Sequence, residues 1–91
     1  MSMDIVAVNT EWGSMHFHYR EWAMLWDLFS ELGCPTDGVT SCNDGDLIPE
    51  YVCQGVANKL EENLDRFMSE DKPYIEEMIP FWRNCGGARQ W

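Results

Sequence analysis

The sequence predicts an α+β fold: a small antiparallel sheet packed by two main helices and a short third helix. Three observations carry this. Residues 14–19 alternate with a period of two and follow a short β-branched run, the pattern of an N-terminal hairpin. Residues 22–32 and 52–67 each repeat apolar side chains every three or four positions, the pattern of amphipathic helices. Gly86-Gly87 then opens onto residues 88–91, which can return to the sheet as an edge strand. The order β-β-α-α-α-(β) places helices on one face of the sheet. The 91 residues read as one globular domain, 1–91, with no internal repeat and no linker.

Ile5-Val6-Ala7-Val8 is apolar and β-branched and suits the first strand. Asn9 to Gly13 has turn chemistry. In the second strand Met15, Phe17 and Tyr19 share one face, and His16 and His18 share the other. From Arg20 the period changes. Trp22, Leu25, Trp26, Phe29 and Leu32 form the stripe of a helix of about three turns, with Gly33 at its C′ position and Pro35 blocking extension. Residues 34–48 are a long connection whose densest turn signal is Asn43-Asp44-Gly45-Asp46. Pro49 fits the first position of the next helix, which is expected to run to Met68 with Gly55 marking a close contact. Pro80 interrupts the last helical pattern. A helix either ends before it or begins at it, and a short helix from about Pro80 to Cys85, anchored by Phe81 and Trp82, is favoured.

Hydrophobic residues make up 45% of the chain and five are tryptophan, enough apolar surface for a folded core with stability of about 5–8 kcal/mol. The formal charge is −10. Residues 37–77 hold eleven acids against three bases, a local charge of −8. Such a surface repels a phosphate backbone and attracts a basic partner, so direct nucleic-acid binding is not expected. Acidity that merely keeps a Trp-rich chain soluble is the plainer alternative. No apolar run reaches the ~20 residues of a membrane span, and Met1 to Val8 lacks a basic start, so a cytoplasmic setting with reduced thiols at Cys34, Cys42, Cys53 and Cys85 is expected.

No motif fixes a reaction. His16 and His18 share a strand face and could hold an ion or flank an anion, but the cysteines lack the close pairs of structural zinc sites. Asn43-Asp44-Gly45-Asp46 resembles the start of a calcium loop without its downstream bidentate glutamate. No cofactor and no metal is expected. Trp22 and Trp26 belong to the core, whereas Trp12 in a turn and Trp91 suit a contact surface.

The chain order also resembles a known group. Trp12-Gly13 leads into Phe17-His18-Tyr19-Arg20-Glu21-Trp22, Asn43-Asp44-Gly45-Asp46 precedes Val56-Ala57-Asn58-Lys59-Leu60-Glu61, and Phe81-Trp82-Arg83-Asn84-Cys85-Gly86-Gly87 closes the pattern. This resembles small acidic proteins of phages and mobile elements. The resemblance implies an inhibitor of host defence, in the manner of anti-CRISPR proteins, that binds and does not catalyse.

The leading expectation is therefore a non-enzymatic binding protein that engages a basic host protein or nucleoprotein complex. Asp44, Asp46, Glu61, Glu62 and Asp65 would form its electrostatic face and exposed aromatics its anchors. A second expectation is a sponge for a nucleotide-type signal, built from Trp12, His16, His18 and Arg20. A third is a small metal-dependent or His-based hydrolase. Homodimerisation through an aromatic patch or a free sheet edge is compatible with each.

Overall fold

In a computed structural model, which describes residues 2–40 and 44–91, the chain forms three α-helices and four strands among those residues. The strands are β1 (Ser2–Ala7), β2 (Ser14–His18), β3 (Asp46–Ile48) and β4 (Ala88–Gln90). The helices are α1 (Tyr19–Glu31), α2 (Glu50–Glu62) and α3 (Lys72–Asn84). The sheet is antiparallel throughout, in the order β2-β1-β4-β3. The α+β class and the N-terminal hairpin are those the periodicities predict, and the strand after Gly86-Gly87 joins the sheet at its centre, not its edge.

Register decides which side chains meet. Pairing sets Met3 opposite Phe17, Ile5 opposite both Met15 and Gln90, and Ala7 and Ile48 opposite Ala88. Residues paired directly across an antiparallel ladder share a face, so this set turns toward the helices. All of it except the half-buried Met15 is buried. The opposite face carries Asp4 and His16, a directly opposed pair, with His18, Arg89 and Leu47, all exposed.

Between sheet and helices lies an aromatic core. Trp82 of α3 is fully buried, and its ring lies 6.0–6.5 Å from Trp22, Trp26 and Phe29 of α1. Phe17 extends the cluster into β2, 5.5 Å from Trp22. The T-shaped geometries at Trp26 and Phe29 set the positive edge of one ring against the negative face of the next. The indole N–H groups of Trp26 and Trp82 are buried and find no acceptor among the described residues.

A polar clasp ties the long connection to the sheet. Gln90 is fully buried yet satisfied: its amide nitrogen donates to the Gly38 and Asp46 carbonyls at 2.8 and 3.3 Å, and its amide oxygen accepts from the Thr40 N–H at 2.9 Å. The Trp22 indole then donates to the Thr40 carbonyl at 3.1 Å. Gly38 is required here. Its φ is 79°, and a Cβ would run into the Leu47 carbonyl and the Pro49 ring.

The first strand starts at Ser2 and stops short of Val8, Tyr19 opens α1 and does not end β2, and later boundaries differ more from the sequence reading. The third helix is not a short piece from Pro80 to Cys85 but spans Lys72–Asn84, as long as the other two. Pro80 lies inside it, and cannot give an N–H to the Glu76 carbonyl. Both residues face solvent, where water can serve that carbonyl, and Pro73 sits in the first turn where its missing N–H costs nothing. Helix α2 stops at Glu62 and not at Met68, because the Asn63 side chain donates to the Lys59 carbonyl at 2.8 Å and the chain tightens into a 3-10 turn over Leu64–Arg66. The connection 34–48 contains strand β3. Of its Asn43-Asp44-Gly45-Asp46 turn, Asn43 lies outside the described residues, as does Cys42.

Two substitutions test this core. Trp82→Ala removes the ring that joins α3 to α1 and is expected to lower stability by about 3–5 kcal/mol in urea denaturation. Trp82→Phe keeps much of the packing and deletes an unpaired buried donor, and is expected to cost under about 2 kcal/mol. Gln90→Leu keeps approximate volume but strands the Thr40 N–H and Gly38 carbonyl, with an expected loss of about 2–4 kcal/mol.

Candidate functional site

Beta strand β2 and the turn before it form one wall of a cleft, and α3 forms the other. Asn9 starts the turn by accepting a hydrogen bond from the Glu11 N–H, and Gly13 ends it at φ 64°. Trp12, on this turn, is 39% exposed. The cleft encloses about 460 Å³ and sets Trp12, Met15, His16 and Phe17 against Tyr74, Glu77, Met78 and Phe81, with Glu21 of α1 at one end. Phe17, Met78 and Phe81 are buried and form its floor, while Trp12, Tyr74 and Glu77 are exposed at its rim.

The electrostatics are set by carboxylates. Glu21 accepts a hydrogen bond from the His18 N–H at 3.1 Å, which fixes it over the first turn of α1. Neither Glu21 nor Glu77 is ion-paired among the described residues. Burial, and then the negative charge of Glu21, push the Tyr74 phenol above its ordinary range. The Tyr51 phenol is raised for a different reason, chiefly the hydrogen bond it donates to the Asp37 carboxylate.

The residues singled out from sequence distribute as follows. Trp12 and His16 meet in the cleft. His18 and Arg20 do not line it: His18 is the N-cap residue of α1, and Arg20 is exposed in that helix's first turn. The His16 and His18 rings are 6.1 Å apart, and His16 Nδ1 lies 2.6 Å from Asp4 Oδ1. The nearest formal charges in the cleft are negative, so a phosphate entering beside Trp12 would be repelled.

Of the five acids expected to form an electrostatic face, three are engaged by the chain's own bases. Glu61 pairs with Arg83 at 2.6 Å, Glu62 with Lys59 at 3.8 Å and Asp65 with Lys72 at 3.9 Å. Asp44 is exposed just before β3 and Asp46 is exposed as its first residue, away from these three along the chain. The sequence reading missed Tyr74, Glu77, Met78 and Glu21 as cleft residues. The available signal was the i, i+3, i+4 spacing of Tyr74, Glu77 and Met78, which places them on one side of a helix that begins ahead of Pro80 and not at it.

The described cysteines give no exposed nucleophile. Cys34, Cys53 and Cys85 are free and buried. Burial pushes the Cys34 thiol up against the opposing influence of Lys59, and a hydrogen bond with Cys85 together with burial pushes Cys53 up. Among the described residues no three His, Cys, Asp or Glu side chains gather as a metal site, and no helix is long and apolar enough to cross a membrane. No family model, curated protein or solved structure matches the chain.

The field in the cleft is measurable. In an NMR titration of the tyrosine ring carbons, Tyr74 is expected to ionise above the free-tyrosine range. Glu21→Gln should shift it down, since removing a negative charge favours the phenolate, while leaving Tyr51 unmoved.

Proposed function

We propose that the protein is a non-enzymatic binding protein that takes a basic segment of another protein into the cleft between β2 and α3. One observation carries this reading: the cleft joins an apolar floor to an aromatic rim, and its charged groups are carboxylates with no ion pair of their own. A lysine or arginine side chain suits each part. Its methylene stem packs on Met and Phe, its cationic head meets Glu21 or Glu77, and the faces of Trp12 and Tyr74 add cation–π attraction of about 0.5–2 kcal/mol. The formal charge of −10 adds long-range steering toward a basic partner.

This reading keeps the basic partner expected from composition and moves its point of contact. Glu61, Glu62 and Asp65 have part of their charge offset locally, whereas Glu21 and Glu77 do not. Covering a basic surface is also how an inhibitor of a host defence complex would act, which is the narrower role that the resemblance to small acidic phage proteins supports.

The test uses capture from a host lysate by the wild-type chain and by Glu77→Lys, followed by kinetics with the identified partner. The expected result is that Glu77→Lys loses the partner. Wild-type association should slow about tenfold or more between low and physiological salt, as electrostatic steering requires. A partner retained equally by both proteins, with a salt-independent association rate, would overturn the proposal.

A further inference from the structure

The cleft does not end at Tyr74. A second depression of about 370 Å³ continues on the other side of the Glu21 and Tyr74 pair, between α1 and the start of α3, and these two residues line both. Its apolar lining includes Met24, Leu28 and Phe67, and Asp71 stands at its far end. Along α3 the two together run from Asp71 to Phe81, ten residues and about 15 Å at the helical rise.

From this we infer that the two depressions form one groove that receives an amphipathic helix of a partner protein, about three turns long, with lysine or arginine flanking its apolar face. The inference rests on the binding role proposed above and adds the conformation of the partner. Three features argue for a helix. The groove length of about 15 Å matches three turns, and a helix lays apolar residues into such a groove at i, i+3, i+4 and i+7. Met15, Met24 and Met78 line it, and unbranched thioether side chains adapt to helices of differing shape. Carboxylates stand along its whole length, with Asp71 at one end, Glu21 at the middle and Glu77 toward the other end. That spacing complements cations repeated along a helix, not one cation at a point. The same rim opposes a second copy of this chain, whose own groove is equally acidic.

Three synthetic peptides of equal length test this: a helical amphipathic peptide of leucine and lysine, a scrambled peptide of the same composition, and a helical peptide of leucine and glutamate. Binding is read by calorimetry, and the site by amide chemical-shift mapping. The helical lysine peptide is expected to bind at least about tenfold more tightly than the scrambled one, and the glutamate peptide not at all. The shifts should fall on Met24, Tyr74 and Glu77. Met24→Glu, at a side chain 66% exposed, should abolish binding with an unchanged melting curve. Equal binding of the two lysine peptides would overturn the helical conformation and leave the basic-segment reading standing. No binding of either would overturn both. Shifts centred on Leu47 and Trp91 would move the contact to the open sheet face and overturn the groove. A dimer of the protein alone that Met24→Glu dissociates would assign the groove to a second copy, with the same consequence.

Discussion

The ring of Trp82 joins α3 to α1 at the centre of the core. It packs against Trp22, Trp26 and Phe29, three side chains from successive turns of α1. Large aromatics bridge the gap between helices whose backbones stand well apart, and each buried ring contributes about 1.5–3 kcal/mol from surface removed from water. The unpaired N–H groups of Trp26 and Trp82 offset part of this, at about 1–3 kcal/mol each. An indole removes more apolar area from water than a smaller side chain does, which works against that cost. Away from Trp82, the start of α3 and α1 border the depression lined by Met24, Leu28 and Phe67, while the cleft on the other side of Tyr74 lies between α3 and β2.

The polar clasp at Gln90 solves a different problem. Strand β3 has three residues and among the described residues pairs only with β4, too little to hold itself against the entropy of the long connection before it. Gln90 fixes both sides of that connection, at Gly38 and Thr40 on one and at Asp46 on the other. The Trp22 indole bonds the same Thr40 from the aromatic core. The clasp and the core are therefore coupled: Thr40 is where the aromatic cluster and the sheet's polar interior meet. Trp91 continues the pattern on the open face, where its indole lies over Gly45 and its backbone N–H donates to the Asp4 carbonyl.

How much of this could be read in the sequence depends on how local each determinant is. The alternation of Met15, Phe17 and the two histidines is a property of adjacent residues, and the burial pattern of β2 follows it. The stripes of α1 and α2 are likewise local: the buried Trp22, Leu25, Trp26 and Phe29 of α1, and Val52, Cys53, Val56, Ala57 and Leu60 of α2, all recur at three and four positions. Strand β3 is not local. Asp46-Leu47-Ile48 carries no period, and it is a strand because β4, forty residues later, supplies the partner. The course of α3 through Pro80 was hidden for a related reason. A proline is compatible with a helix interior where the orphaned carbonyl faces water, and exposure is decided by the whole fold. Reading the third helix as a short piece from Pro80 concealed the site, since Tyr74, Glu77 and Met78 then lie ahead of the helix and not on one face of it. Charge was legible in sum but not in place. The acids of residues 61–65 are numerous, yet they meet Arg83, Lys59 and Lys72 in space, while the unpaired acids of the groove are scattered along the sequence at 21, 71 and 77.

The groove and the core are one construction. Phe17, Leu25, Ile75, Met78 and Phe81 are buried core residues, and the same five form the groove's floor. Their rotamers are held from behind by close packing, so a ligand meets a surface already shaped. The rim is different in kind. Trp12, Met24 and Tyr74 stand exposed at 39%, 66% and 47%, and can reorient against whatever docks. A close-packed apolar floor with an exposed, polarizable rim lowers the ordering cost of binding without demanding one exact partner shape. Carboxylates around that rim then supply the selection that the floor lacks, admitting cationic segments and rejecting anionic ones. The acidity of the chain thus has two separable parts. One part is held in exposed ion pairs, each worth about 0–1 kcal/mol to stability, and the other is left uncompensated beside an apolar surface, where the local dielectric is lower and each charge acts more strongly on what approaches.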